Sequence, residues 1–380
     1  MSEFSVQTPR LPLRSLSDGE VSELRATVRE VLAAAGSTSV ARALESPADG
    51  IDYDAATWRT LAQDIGLAGL GLPEDVGGVG GLVELLAVSE ELGRGLAAVP
   101  FLSSTVLAGQ ILLRCDATAT EALNRIAAGE IATAAVADSF GRPTLPQLTV
   151  TEEGAGGRVR VSGRASFVTD GMAAALLVVP VNGPGGLDVA LVATDDTRVH
   201  RQAMRVLDFT RPQAQIDMEG ASAVMVTAGG TGGPALREGV DVALLALSAE
   251  QLGGIQEAFD RTLDYIKVRR QFNREIGSFQ AIKHRMADAL SLVELSRSSV
   301  ERAGWHDIDP GALAEAAAIA SAWCSQAFLD VAAEMVQLHG GIGFTWEHDA
   351  HLFFRRARAD SVQWGDPTYH RERLAQLRGW

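Results

Sequence analysis

The chain has 380 residues, of which 47% are hydrophobic and 21% charged, and its formal net charge is −15. This length exceeds one ordinary hydrophobic core, so we expect two or three domains in a globular protein. The negative charge argues against nucleic-acid binding, because no basic field is available to release counterions from phosphates. A phosphorylated ligand would therefore need a local cluster of arginines.

The cysteine content and the apolar runs exclude further classes. Cys115 and Cys324 lie far apart, which predicts neither a disulfide framework nor a metal site. The first residues lack the apolar run of a signal peptide, and no stretch of about twenty uninterrupted apolar residues suggests a membrane span. We therefore expect a cytoplasmic protein that binds no metal and no membrane.

Residues 1–130 are predicted to form a helical domain. Ser17 or Asp18 can cap a first helix, and a second helix is expected to stop at Gly66. The apolar stripe of the first helix consists of Val21, Leu24, Val28 and Leu32. The glycine-rich run Gly69–Gly81 has no lysine and no strand before it, so it predicts a turn between helices rather than a phosphate loop.

The hydrophobic period changes near Ile131, and residues 131–232 are predicted to form a separate β-domain. Short valine-rich runs are separated here by glycine, proline, asparagine and aspartate. Arg158–Ser162 alternates as a half-buried strand should. The run Gly229–Pro234 is predicted to be a linker to the last domain.

Residues 233–380 are predicted to form a second helical domain. One buried helical face is formed by Leu252, Ile255, Phe259, Leu263 and Ile266. The next step along this face falls on Arg269 or Arg270, and a guanidinium there must reach water or an anion. Gly340 is placed to end an alanine-rich helix over Gly311–Leu338, and Asp366 is placed to cap the last helix.

Three motifs in this last region, YxxxRxQF, FQxxxHxxAD and QxxGGxGF, resemble the acyl-CoA dehydrogenase superfamily. The matching residues are Arg269, Gln271, Phe272, Phe279, Gln280, His284, Ala287, Asp288, Gln337, Gly340, Gly341, Gly343 and Phe344. The resemblance covers nearly the whole chain. It implies an α+β fold with an N-terminal helical domain, a middle β-barrel-like domain and a C-terminal four-helix bundle. It also implies FAD as cofactor, an acyl-CoA thioester desaturated between Cα and Cβ as substrate, and assembly as dimers or tetramers.

The resemblance also implies roles for particular residues. In the family, the Arg269-type residue contacts the FAD pyrophosphate, and the Gln280 and Gln337–Gly341 positions contact the ADP half of a flavin held mainly by the neighbouring subunit. A bidentate arginine suits a diphosphate, and glycines let backbone N–H groups approach one. The predicted cofactor-binding residues are Arg269, Gln271, Phe272, Gln280, Gln337, Gly340, Gly341 and Thr169, the last from a run similar to the family's Trp-Ile-Thr strand.

The chain departs from the family at the flavin ring and at the catalytic base. The run Ala135–Gln147 stands where the family has a Thr-Glu-Pro-containing loop, and it lacks that triplet. Abstraction of the α-proton needs a carboxylate beside the flavin. The two family positions for that carboxylate correspond to Trp364 and Ala243 in this chain, so no catalytic residue is identified.

Four other residues are candidates to replace the catalytic carboxylate. Asp366 is close to the lost base but is better placed as a helix cap, and Glu250 lies about two helical turns past Ala243. His284 and His339 fall within cofactor motifs and are interpreted as cofactor or interface contacts. Arg211 is a candidate contact to CoA or to an interface.

Two functional hypotheses follow. In the favoured one, the chain is a degenerate subunit of an α2β2 acyl-CoA dehydrogenase and donates ADP-side FAD contacts to a catalytic homologue. In the alternative, it is a self-sufficient, homo-oligomeric FAD enzyme with a non-standard base. A flavin-free structural oligomer is disfavoured, because the ADP-side motifs would then have no use.

Overall fold

The computed structural model describes residues 16–46, 52–138, 141–142, 148–153, 157–183, 185–304 and 310–380. A helical region comes first, a β-barrel follows, and a second helical region completes the chain. This architecture confirms the predicted α+β fold class.

The N-terminal region consists of short helices around an apolar core. They are α1 (Asp18–Ala35), α2 (Ser37–Ala43), α3 (Ala55–Arg59), α4 (Leu82–Arg94), α5 (Gly109–Leu112) and α6 (Thr120–Ala127), with π-helical turns at Thr60–Asp64 and Phe101–Ala108. Ser17 caps α1 in a capping box with Glu20, as the sequence predicts. Val28 and Leu32 of the predicted stripe are buried.

The middle region is a closed barrel. Its strands are β1 (Ala132–Ala134), β2 (Thr149–Glu153), β3 (Arg158–Thr169), β4 (Leu176–Gly183), β5 (Gly186–Ala193), β6 (Val199–Ala203) and β7 (Gln213–Met225). The ring runs β4-β2-β3-β7-β5 and closes from β5 to β4, with β1 added on β4 and β6 on β7. The runs Arg158–Gly163 and Ala165–Thr169, which the sequence predicts as separate strands, form the single strand β3. The sequence does not predict β2, β6 or the first half of β7, because their polar residues hide the alternation.

The C-terminal region is built on long antiparallel helices. They are α7 (Gly232–Val268), α8 (Gln280–Gly304), α9 (Pro310–His339), α10 (Ala350–Asp360) and α11 (Pro367–Leu377), with the two-stranded hairpin β8 (Arg270–Gln271) and β9 (Arg274–Glu275) between α7 and α8. Because α7 already begins at Gly232, the predicted linker Gly229–Pro234 is partly helical. Gly340, with φ +64°, ends α9, and the Asp366 side chain caps α11, as predicted.

The most apolar of these helices is α9. The segment Pro310–Phe344 is long and apolar enough to cross a membrane, but most of its most apolar stretch is buried inside the protein. It packs against α7, α8, α10 and α11. The apolar residues of α9 therefore form part of the core of the helical region.

Two features of this packing position the site. Helices α4 and α7 cross in backbone contact, since a Cβ on Gly93 would lie 1.8 Å from the Glu250 carbonyl oxygen and one on Gly253 would lie 1.9 Å from that of Glu90. The end of α7, the start of α8 and the end of α9 meet at one end of the helical region, because successive long helices are antiparallel. Seven of the eight predicted cofactor contacts lie at that end.

Candidate functional site

The hairpin of β8 and β9 lies at the meeting point of these helix ends. Phe272 and Asn273 both have positive φ, 50° and 69°, which gives the two-residue turn the form of a type I′ hairpin. The Phe272 ring contacts Phe279 edge-on at 6.2 Å, and the Arg274 guanidinium lies over Phe279 at 3.8 Å. The turn therefore presents Phe272 outward, 88% exposed.

Arg269 and the two glycines lie beside this hairpin. Arg269 directly follows α7 and is exposed, and Gly340 and Gly341 directly follow α9 and are exposed. The Tyr265 ring, one turn before Arg269, stacks on His339 with the ring centroids 4.2 Å apart. This contact brings the arginine and the glycines to the same end of the helices.

We call this surface the bundle end; it consists of Arg269, Gln271, Phe272, Gln280, Gln337, Gly340 and Gly341, all of them exposed. A Cβ added at Gly340 or Gly341 would meet no described atom within 4 Å, so a ligand can approach their backbone closely. The Gln280 amide lies 3.1 Å from His284 Nε2. A guanidinium, side-chain amides and open backbone N–H groups fit a diphosphate and an attached nucleoside.

Large apolar side chains surround the bundle end. Phe272 is 88% exposed, Phe344 77% and Val268 73%, and Ile342 is also exposed. Large exposed apolar groups are typical of a protein–protein interface when they form a patch. The donor groups of the bundle end therefore lie beside apolar side chains that a second chain could cover.

The predicted ring contact, Thr169, lies in a different environment. It is buried at the end of β3, and its hydroxyl accepts a hydrogen bond of 2.7 Å from the Gln363 side-chain amide. Gln363 Oε1 in turn accepts one of 2.8 Å from Gln213. The threonine that was expected to face a flavin ring is thus engaged within the chain.

The two family base positions are also closed. Trp364 is only 2% exposed and has a left-handed backbone with φ 55°, which bulky residues rarely adopt, and its indole belongs to the main hydrophobic core. Ala243 is fully buried within α7. Asp366 accepts a hydrogen bond from the Tyr369 backbone N–H at 2.8 Å, so the capping interpretation is confirmed.

An ionic network is buried next to Trp364. Arg356 donates to Asp208 Oδ2 at 2.6 Å, to the Ala97 carbonyl at 3.2 Å and to Glu250. Glu250 also accepts from Arg211. The network joins all three regions of the chain, since Ala97 follows α4, Asp208 and Arg211 precede β7, and Glu250 lies in α7.

Arg211 and Glu250, two candidates from the sequence, pair with each other in the interior. Arg211 is 6% exposed, and it also lines the cavity at the edge of this network. Glu250 accepts hydrogen bonds from two guanidiniums, so its carboxylate is engaged within the chain. The sequence analysis did not single out Asp208 or Arg356, because only the tertiary packing shows which side of α10 is buried.

Asp360 completes the network without a close partner. Its Oδ1 lies 3.7 Å from Arg211 Nε, and neither carboxylate oxygen accepts a hydrogen bond from the described residues. Burial raises the pKa of Asp360 to about 7, against the opposing effect of Arg211 and Arg356. We call this buried region the domain junction; it consists of Thr169, Asp208, Arg211, Glu250, Arg356, Asp360, Gln363 and Trp364.

A cavity of about 280 Å³ remains at the edge of the domain junction. Phe167, Arg205, Gln213 and Trp364 are among the residues that line it. Ligand pockets usually span roughly 300–1,000 Å³, so the volume of this cavity lies near the lower end of that range. The exposed groups of the bundle end fit the ADP half of FAD, whereas most polar groups of the domain junction are paired within the chain. Residues 139–140 and 143–147 of the predicted ring loop lie outside the described residues.

In the described part of the chain, no group of three or more histidine, cysteine, aspartate or glutamate residues could hold a metal ion.

Comparisons with known proteins agree across the chain. Residues 18–130 match a family model described as the acyl-CoA dehydrogenase N-terminal domain, and residues 230–377 match the acyl-CoA dehydrogenase C-terminal domain. Acyl-CoA dehydrogenase IpdE2 of Mycobacterium tuberculosis is 33% identical over 89% of this chain and 91% of its own length. IpdE2 of Mycolicibacterium smegmatis is 34% identical over 94% of this chain and 98% of its own length.

Solved structures give the same result. A chain of the ChsE4-ChsE5 complex from Mycobacterium tuberculosis matches with a TM-score of 0.85 at 29% identity, covering 96% of this chain and 98% of that one. A variant of the Tcur3481-Tcur3483 steroid ACAD matches with a TM-score of 0.85 at 29% identity, covering 95% and 98%.

Proposed function

The chain belongs to the acyl-CoA dehydrogenase family of FAD-dependent enzymes, and from this premise we propose that it is a subunit without its own catalytic base. It contributes ADP-side FAD contacts to the α,β-desaturation of an acyl-CoA thioester by a homologous catalytic partner. FAD supplies the hydride acceptor for this reaction. The α-proton must be taken by a carboxylate of the partner, because Trp364 and Ala243 occupy both family base positions of this chain.

The observation that carries this proposal is the contrast in exposure between the predicted contacts. Arg269, Gln337, Gly340 and Gly341 are open to solvent, whereas Thr169 is buried and hydrogen-bonded to Gln363. In a chain that held its own flavin ring, the Thr169 hydroxyl would need to be open to the ring rather than hydrogen-bonded to Gln363. The apolar surface around the bundle end supports a partner that covers it.

The comparisons support the kind of partner and substrate. One matching structure is a complex between ChsE4 and ChsE5, and another is described as a steroid ACAD. We extend the proposal accordingly to an α2β2 assembly of two homologous chains acting on a bulky acyl-CoA thioester.

The bundle end would act on the cofactor by binding and orientation alone. The Arg269 guanidinium would pair with pyrophosphate oxygens through two parallel N–H groups. Gly340 and Gly341 would donate backbone N–H groups to the same oxygens, and the amides of Gln280 and Gln337 would hydrogen-bond the nucleoside. None of these groups transfers a proton.

The decisive experiment measures flavin content in the purified complex of this chain with a homologous partner. Arg269→Ala in this chain should remove most of the FAD, although the ring lies in the partner. The control is Arg302→Ala, which changes the net charge equally near the opposite end of α8, where Arg302 is exposed and only 3.8 Å from Glu315. Absorbance of bound flavin per complex is the readout.

Two results would contradict the proposal. Unchanged flavin content in Arg269→Ala would exclude a cofactor contact at the bundle end. A chain purified alone as a homo-oligomer with about one FAD per chain and desaturase activity would establish the self-sufficient alternative. A colourless chain that becomes yellow only with the partner supports the subunit proposal.

A further inference from the structure

We propose that Tyr265 and His339 are positioning residues for the cofactor contacts: an aromatic stack of Tyr265, His339 and His348 sets the distance between Arg269 and the Gly340–Gly341 backbone. This inference rests on the proposed function, since it concerns the same cofactor contacts. It adds residues that themselves need not touch the cofactor.

The stack starts on α7. The Tyr265 carbonyl accepts the Arg269 backbone N–H at 2.9 Å, so Arg269 is hydrogen-bonded to the last turn of α7, which carries Tyr265. Its ring lies on the His339 ring at a centroid distance of 4.2 Å and an interplanar angle of 25°. His339 is the last residue of α9, directly before Gly340. This ring contact, together with a 3.5 Å hydrogen bond from the Tyr265 hydroxyl to the His339 carbonyl, joins the two backbone segments that carry the predicted contacts.

The His339 ring is held on its other sides as well. His348 packs against it with the centroids 4.3 Å apart. His339 Nδ1 lies 2.7 Å from the Met335 carbonyl, which accepts a hydrogen bond only if Nδ1 carries the proton. His348 Nδ1 accepts the Ala350 backbone N–H at 3.1 Å. Each ring therefore has a defined orientation.

An ionic clamp holds the same segment one helical turn away. Asp349 accepts from Arg42 of α2 and, at 2.7 Å, from Arg261 of α7. Arg261 and Tyr265 are four residues apart, so they lie on one face of α7. The segment from His339 to Asp349 is thus attached to that face at both of its ends.

The glycines have little side-chain packing around them. A Cβ at Gly340 or Gly341 would meet no described atom within 4 Å, so their position depends on the backbone segments that flank them. Ligand contacts must be held to within about 0.5 Å of the productive geometry by packing of the surrounding residues. The stack is the packing that connects these glycines to Arg269.

The experiment titrates the flavin-free complex of this chain and its partner with FAD and follows quenching of flavin fluorescence. Tyr265→Phe keeps the stacking ring and should bind FAD within about twofold of wild type. Tyr265→Leu removes the ring and should weaken FAD binding about tenfold, the effect of losing one aromatic contact. Tyr369→Leu is the matched control, since Tyr369 also contacts a histidine, His370, but on α11.

Each outcome separates this inference from the proposed function. Wild-type FAD affinity in Tyr265→Leu, together with flavin loss in Arg269→Ala, would contradict the positioning role of the stack but not the proposed function. Flavin retention in both variants would overturn the proposed function itself. An equal loss in Tyr265→Phe would overturn the stacking role and assign the effect to the tyrosine hydroxyl. Where Tyr265→Leu does not assemble, His348→Leu and His348→Phe make the same comparison from the half-buried end of the stack.

Discussion

The same helix, α7, contributes to the bundle end and to the domain junction, but these two regions differ in the burial and pairing of their polar groups. Helix α7 carries Glu250 through the domain junction, where polar groups are buried and most have partners, and it ends next to Arg269, where they are exposed. Polar groups that already have partners hold a structure together, whereas exposed donors on an apolar surface are available to a ligand. Changes at the domain junction should therefore alter folding, and changes at the bundle end should alter cofactor binding.

The largest effect is expected from Arg356→Ala. Removing this guanidinium leaves Asp208 and Glu250 buried with one charge partner fewer, which typically costs about 3–5 kcal/mol in the free energy of unfolding. Denaturant unfolding of the complex measures it. Arg355→Ala is the control, because Arg355 is only half-buried and contacts the Leu207 carbonyl and the Phe209 ring, so its loss should cost about 1 kcal/mol or less. Similar losses in the free energy of unfolding for both variants would contradict a stabilising role of the buried network.

A pH-dependent effect should come from Asp360. Burial raises its pKa to about 7, so the native state binds its proton more tightly than the unfolded chain does. The free energy of unfolding should fall as the pH rises from about 4 towards 7, as the unfolded chain loses that proton first. Asp360→Asn should match wild type near pH 4 and exceed it above pH 7, on the order of a few kcal/mol. A stability difference between Asp360→Asn and wild type that does not change with pH would contradict a raised pKa for Asp360.

A smaller effect is expected at the bundle end from Gly340→Ala. Gly340 has φ +64°, and a residue with a Cβ is strained there by about 1–2 kcal/mol. Gly341→Ala is the control, since neither glycine has a described atom within 4 Å of an added Cβ and only Gly340 has positive φ. The midpoint temperature of thermal unfolding should decrease for Gly340→Ala only, whereas flavin content should decrease for both variants, because either Cβ hinders the approach of FAD to the backbone. Equal decreases in the unfolding temperature would contradict the role of the positive φ at Gly340.

The smallest effect should come from Asp366→Ala. The Asp366 side chain caps α11, and losing a cap of this kind costs about 1 kcal/mol. Desaturation by the complex, measured with an artificial electron acceptor, should be unchanged per folded complex. Loss of turnover without loss of stability would instead make Asp366 a base.

Much of the fold and part of the site could be predicted from the sequence. Periodicity located the helical ends of the chain, because the apolar stripe of a helix is visible in any window of several turns. It failed for β2 and β6, whose strands are short and polar. The motifs around Arg269 and Gly340 indicated the bundle end, since those residues are contiguous in sequence with the helix ends that expose them.

By itself, the sequence determined the α+β class, the family resemblance and the absence of a carboxylate at Trp364 and Ala243. Only the tertiary structure decided that Arg211 and Glu250 pair in the interior, that Gln363 engages Thr169, and that Tyr265 reaches His339. The physical reason is that burial and pairing of charges depend on which helix faces meet, and those residues are separated by up to 194 positions along the chain. Local pattern shows which groups a chain carries, and packing determines which of them remain available to a ligand.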